Sequence, residues 1–309
     1  MKKIITILLI VIVGYTASAQ QDAMFTHYMY NTLAVNPAYA GSRDALTITG
    51  LHRSQWIGFD GAPITQTLTA HTPIINENIG LGLSVINDKI GPVNTTSLYA
   101  DFSYRIKIDK KSHLAFGLKG GMNMVNNNLT SLNLDDKNDL AFIQNVQSKL
   151  LPNFGFGMYY SSDKFYAGVS IPKLLENNFA NNTTSGSTNL ASEKRHYFLI
   201  AGTVFNINEG IKLKPTTFIK VTNGAPIEAD VTASFIFHDK FWLGGMFRTG
   251  DALGILAGLN ITNQFALGYS FDWSYANTTM KYNGGSHELM LRYDFIYKVE
   301  EKIRSPRYF

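Results

Sequence analysis

The sequence predicts an all-β protein, a transmembrane antiparallel β-barrel of about 14 strands with an N-terminal plug or periplasmic segment. Three observations predict it. Apolar and polar side chains alternate with a period of two, an export leader is followed by no apolar helix-length span, and short connections alternate with long ones.

The alternation is clearest from Leu253 to Phe295. Leu253, Ile255, Ala257, Leu259 and Ile261 form one set, with Gly254, Leu256, Gly258 and Asn260 between them. Phe265, Leu267, Tyr269, Phe271 and Trp273 then alternate with Ala266, Gly268, Ser270 and Asp272, and Leu289, Leu291, Tyr293 and Phe295 with Glu288, Met290, Arg292 and Asp294. Successive strand side chains point to opposite faces, so each run is a strand with one apolar and one polar face. A soluble sheet shows the same pattern. Lipid is favoured because the apolar face ends in Trp273 and Tyr275, as an interface girdle does, and the polar face is rich in Gly and charge.

The chain opens Met1-Lys2-Lys3, runs apolar from Ile4 to Val13 and reaches Ala17-Ser18-Ala19 before Gln20. This reads as a secretory signal peptide over 1–19, too short to span a bilayer. With no later apolar span, an exported chain enters a membrane only as a closed barrel, because lipid offers the backbone no hydrogen-bond partners. The expected location is the outer membrane, with leader removed.

Without Lys2 and Lys3, 25 basic residues face 23 acidic ones, a balance of +2 that leaves no nucleic-acid footprint. Charged residues make up 16% of the chain and mean hydropathy is -0.04, as expected where half of each strand faces lipid. The absence of cysteine excludes disulfides, thiolate metal sites and a cysteine nucleophile.

Residues 20–43 form an aromatic N-terminal segment ahead of a barrel over 44–297 and a periplasmic tail over 298–309. Phe25-x-x-Tyr28-Met29-x-Asn31, followed by Asn36-Pro37-Ala38-Tyr39-Ala40-Gly41, resembles the opening of the PorP/SprF family of Bacteroidota outer-membrane proteins, and Ser305-Pro306-Arg307-Tyr308-Phe309 resembles that family's ending. The resemblance implies a barrel of the type IX secretion and gliding system. It also implies a secreted adhesin or effector as partner, engaged through its C-terminal domain for export or anchoring, with the translocon, periplasmic secretion components and membrane lipid as further contacts. No cofactor is implied. The competing reading is an outer-membrane channel or transporter for small or hydrophobic solutes.

Strands are expected near 44–53, 62–71, 78–87, 95–108, 112–125, 150–161, 164–171, 195–207, 210–222, 227–238, 240–249, 251–261, 264–274 and 286–297. Short turns are expected at 76–78, 109–111, 162–163, 208–209, 239 and 262–263. Between them fall connections at 56–61, 87–94, 126–149, 172–194 and 275–285, with shorter ones at 223–226 and 249–250. Short turns on the periplasmic side and long loops outside are the outer-membrane pattern.

Arg53, Asp101, Arg105, Lys119, Arg248, Asp272, Glu288, Arg292 and Asp294, together with Lys212, Lys214, Lys220 and Asp230, are expected to face the lumen. Their mixed signs argue against an ion-selective pore. A barrel this wide either holds water or is plugged. Phe25, Tyr28, Met29, Asn36, Pro37, Tyr39 and Gly41 are the candidate plug or docking residues, because a disordered tail should be poor in aromatics. Trp56, Phe59, Phe142, Phe179 and Tyr275 are the aromatic anchors expected at a partner-binding rim, Trp56 and Tyr275 equally well as girdle residues.

Asp135 to Asp139 lacks the Gly turn and closing Glu of a calcium loop. The Asn- and Thr-rich stretch from Asn177 to Thr188 reads as a loop tip. No histidine spacing suggests a metal site. Ser286 and His287, the one pair that suggests a lipase-like arrangement, are adjacent on a strand and so face opposite sides, which argues against an enzyme.

Overall fold

The computed structural model describes residues 23–74, 77–131, 145–177, 193–275 and 283–296. Among these are fourteen barrel strands: β1 Leu46–Ser54, β2 Ile64–Ile74, β3 Ile79–Ile90, β4 Val93–Lys107, β5 His113–Asn127, β6 Val146–Ser161, β7 Phe165–Ile171, β8 His196–Thr203, β9 Ile211–Thr222, β10 Glu228–Phe237, β11 Phe241–Arg248, β12 Ala252–Asn260, β13 Phe265–Ser274 and β14 Ser286–Phe295. Every strand pairs antiparallel with its neighbours in the chain, and β1 pairs with β14 from Leu46↔Phe295 to Ser54↔His287. The sheet therefore has no free lateral edge. No helix is long and apolar enough to cross a membrane among the described residues.

The wall obeys the expected alternation. Leu83, Leu98, Leu118, Phe154, Ile255 and Trp273 stand exposed on the outside, while Thr67, Ser84, Asp101, Ser270 and Asp272 are buried inside. An apolar outer face on strand after strand has no cover within the molecule, so lipid provides it. Leu267→Arg should cost about 2–4 kcal/mol of barrel stability, read as a lower urea midpoint in lipid. Gly268→Arg should also fail, but for a different reason. A Cβ there already meets the His27 imidazole and the end of Met290, so the lumen has no room for it. Normal assembly of the Gly268 variant would contradict a filled lumen.

Local chemistry explains the corners and breaks. His238 and Asp239 both have positive φ, 51° and 55°, and Lys240 N donates to Phe237 O at 3.0 Å. This is the primed two-residue turn that matches strand twist. Pro215, inside β9, has no N–H to offer its neighbour. Opposite it β8 ends at Thr203, Val204 N donates instead to Lys164 O at 2.8 Å, and pairing resumes at Phe205–Asn206.

Two expected loops are shorter than the sequence suggests. β3 runs to Ile90 and β4 begins at Val93, so 87–94 is a hairpin rather than a loop, turned at Gly91 (φ 54°). Likewise β5 runs to Asn127 and β6 begins at Val146, narrowing the 126–149 connection. At these ends the outward positions turn polar, as at Asn87, Lys89, Asn94 and Thr96, so the lipid-facing signal vanishes while the ladder continues. Asn87 Nδ2 donates to Asn94 Oδ1 and Thr96 Oγ1, both at 2.9 Å.

Candidate functional site: a lumen filled by the N-terminal segment

Residues 23–45 lie inside the barrel. Ala23 and Phe25 share a cavity with Asp88, Ile90, Val93, Lys173 and Lys194, which mark the long-loop end. At the opposite end, Asp44 accepts from Arg105 at 2.7 Å, close to the short turn after β4. The segment thus descends the lumen from the long-loop end and enters β1 from the short-turn end. Of the two expected placements, plug or periplasmic segment, the lumen is the one the structure shows, and the segment's aromatic side chains are buried there.

Its upper part is clamped by charge. Glu288 accepts from Thr26 N (2.9 Å), His27 N (2.6 Å) and His27 Nδ1 (2.7 Å). Thr26 Oγ1 donates to Asp272 at 2.6 Å, and Arg53 donates both to Thr26 Oγ1 (2.8 Å) and to Asp272 (2.7 Å). Arg53, Asp272 and Glu288 are each buried to 2% exposure or less. Buried charges persist only when paired and hydrogen-bonded. Arg248 meets that condition through a two-point contact to Asp230 at 2.8 and 2.9 Å.

Below the clamp the aromatics pack. Tyr28 stacks on Phe218 with centroids 5.0 Å apart, and its hydroxyl lies 3.0 Å from Thr216 Oγ1. Tyr30 lies against Trp242, with Lys214 and Arg292 over its ring. Met29, Leu33 and Tyr39 join the same buried cluster as Tyr28, while Phe25 packs with Ala34 and Leu51.

The lower part is a built turn. Residues Thr32–Val35 form one helical turn, and Pro37–Tyr39 a 3-10 turn whose cap is Asn36. The Asn36 side chain accepts from Ala38 N at 3.0 Å and donates to Met158 O at 3.0 Å, joining cap and wall. The wall makes room with glycine: a Cβ on Gly117 would strike the Pro37–Ala38 backbone, one on Gly157 the Asn36 amide, and one on Gly80 the Ala40 carbonyl. Gly41 takes φ 73° and donates to His71 Nδ1 at 3.1 Å, turning the chain toward β1. Arg43 then holds Asp294 at 2.8 and 3.1 Å.

A family model described as type IX secretion system membrane protein PorP/SprF matches residues 17–293. The chain belongs to the PorP/SprF family. No curated protein matches it. Among solved structures, a CymD monoaromatic hydrocarbon channel is similar at 10% identity and TM-score 0.50, covering 86% of this chain and 92% of that one. The Acinetobacter baumannii outer membrane protein Omp33 matches at 10% identity and TM-score 0.46, over 81% and 98% of the two chains. A KdgM porin matches at 11% and 0.40, over 81% and 99%. At these identities the likeness to CymD shows the barrel fold alone.

In this PorP/SprF barrel, the expected lumen charges do face inward. Lys119 pairs with Asp101 at 3.0 Å and Arg292 lies 3.6 Å from Asp294. Of the rim aromatics, Trp56 is tied down, its backbone N donating to Ser286 Oγ at 3.2 Å and its indole to Ser274 Oγ at 3.1 Å. Tyr275 stacks on Phe247 and donates to Arg248 O at 3.2 Å. Phe59 is exposed. Phe142, Phe179 and the Asp135 to Asp139 stretch lie outside the described residues, as does Asn177 to Thr188 after its first residue. Ser286 and His287 face opposite sides, the first buried, the second within 2.5 Å of Tyr269 Oη.

Sequence reading missed Thr26, His27 and the wall glycines. Glycine at lumen-facing positions of β3, β5 and β6 was the available signal, since a strand glycine often marks close approach of another backbone.

Proposed function

We propose that this PorP/SprF protein is a non-enzymatic outer-membrane partner of an exported adhesin or effector, receiving its C-terminal domain at the surface rim for export or anchoring. The occupied lumen carries the reading. A barrel filled by its own segment, held by the Glu288 hydrogen bonds and the Arg43–Asp294 ion pair, supports a surface rather than a passage, and membership of a type IX secretion family supports reading that surface as a contact for an exported protein. A solute channel would need a continuous path past residues 23–45. Residues 1–19 are read as a signal peptide removed on export.

The test is to delete the gene and quantify surface proteins by biotinylation of intact cells. Loss of one or a few large exported proteins, restored by complementation, is expected. An unchanged surface inventory would sink the reading.

Orientation is checked with single cysteines, for which the cysteine-free chain provides a clean background. Phe59→Cys, at the long-loop end, should react with an impermeant maleimide on intact cells. Asp163→Cys and Glu209→Cys, in short turns, should react only after the outer membrane is opened. Equal labelling of all three would overturn the topology.

A further inference from the structure

The apolar outer face of the barrel is interrupted where β13, β14, β1 and β2 lie side by side. His52 and Ser54 on β1, Gln66 on β2 and His287 on β14 all point outward, among the exposed Ile64, Leu68, Leu289 and Leu291. His287 also packs edge-on against Phe271, two positions from the girdle residue Trp273. Polar side chains turned toward lipid are costly away from the interface, and in membrane proteins they mark function more often than filling.

These groups form a connected set. Ser54 Oγ lies 3.1 Å from His52 Nε2, and the amide of Gln66, directly opposite His52 in the ladder, lies 3.4 Å from His52 Nδ1. Ser54 stands directly opposite His287, whose Nδ1 is 2.5 Å from Tyr269 Oη. A hydroxyl becomes nucleophilic when a neighbouring imidazole takes its proton and a third group holds that imidazole in one tautomer. With Nε2 accepting from the Ser54 hydroxyl, the His52 proton sits on Nδ1, and the Gln66 amide, given a half-turn, offers Oε1 to accept it. The Tyr269 phenol donates to His287 Nδ1, which leaves Nε2–H as a donor on the strand beside Ser54. That donor is needed, because the amides after Ser54 are engaged: Gln55 N with Pro63 O, Trp56 N with Ser286 Oγ and Ile57 N with Gly285 O. Next to His52 on the same face, a Cβ on Gly50 would touch nothing, so the wall has a shallow slot between Gly50's partners Leu68 and Leu291, a seat for an alkyl chain.

We propose that Ser54, His52 and Gln66 form an ester-hydrolase site on the lipid-facing wall, with His287 as oxyanion donor and the acyl ester of a membrane lipid as substrate. Ser54 Oγ attacks the ester carbonyl carbon while His52 takes its proton, and His287 Nε2–H meets the tetrahedral oxyanion. The ester C–O bond then breaks, the departing lysolipid alcohol receives the proton from His52, and the acyl group stays on Ser54. Water attacks that acyl group with His52 as base, the fatty acid leaves, and the proton returns to Ser54 Oγ. This activity lies on a different face from the partner function proposed above, which needs no chemistry, and either can fail without the other.

The test uses the full-length barrel in mixed micelles, once with a glycerophospholipid carrying a labelled acyl chain and once with purified lipid A. Fatty acid should be released from one of them, and the lipid that serves identifies the source of the ester. Ser54→Ala and His52→Ala should each lower the rate about 100-fold or more, with heat-modifiable migration unchanged. His287→Ala should lower kcat with little effect on KM. Gln66→Ala should slow the reaction by at least about tenfold, and Gln66→Glu, which keeps an acceptor for Nδ1–H, should restore it. A fluorophosphonate should label the unaltered protein on Ser54, located by mass spectrometry, and should not label His52→Ala. No release from either lipid, or release that persists in Ser54→Ala, overturns the proposal. If Ser54→Ala barrels fail to assemble, the fluorophosphonate decides: an adduct on Ser54 supports the site, and an unlabelled Ser54 overturns it.

Discussion

Barrels lacking residues 21–40 should conduct ions stepwise in planar lipid bilayers, whereas the intact protein should conduct little. The deletion removes the aromatic filling and the Asn36-Pro37-Ala38 turn but spares Gly41, Arg43 and Asp44, so the contacts to His71, Asp294 and Arg105 remain to position β1. The exposed lumen charges keep wall partners: Arg53 with Asp272, Arg248 with Asp230 and Lys119 with Asp101. Assembly should therefore survive at reduced stability, because each buried Phe, Tyr or Leu removed had contributed roughly 1.5–3 kcal/mol. Equal conductance of intact and shortened barrels would mean either that the lumen is open past the segment or that the loops close it independently. In either case the segment would not be a plug.

Replacing Glu288 should be the most damaging single change in the lumen. Glu288→Ala removes at once the acceptor for Thr26 N, His27 N and His27 Nδ1 and the second anion near Arg53. Removing one partner of a buried ion pair typically costs about 3–5 kcal/mol, because the remaining charge stays buried without its match. Urea unfolding in lipid vesicles should show this as a large drop in midpoint. Glu288→Gln keeps the shape and one carbonyl acceptor, and should recover part of the loss. Protease should also reach the N-terminal segment more readily in the Ala variant. A loss of unfolding free energy below about 1 kcal/mol would mean that the clamp is not what holds the segment.

The sequence by itself determined the strands and their facing. A period of two is a local property: Leu267 and Gly268 declare opposite faces whatever surrounds them, and a short turn at Asp239 is legible from neighbouring residues, although the structure extends it to include His238. For the same reason the lumen charges could be named one by one. Even the aromatic segment announced itself, because Phe25, Tyr28 and Tyr39 could not all stay in water at low cost.

What only the tertiary structure decided were relations across the barrel. The Thr26 contact to Asp272 spans 246 positions and the His27 contact to Glu288 spans 261, and no local pattern pairs such residues. The direction of the segment, with Ala23 near the long loops and Asp44 near the short turns, was likewise invisible, since its order in the chain suggests the reverse. Trp56 read equally well as a rim anchor or a girdle residue, and only the fold shows it held by Ser274 and Ser286, more than two hundred residues away in the chain. Gly80, Gly117 and Gly157 explain the division: alternation turns them inward, but only the closed wall brings the Asn36-Pro37-Ala38 turn and the Ala40 carbonyl so close that no side chain fits there.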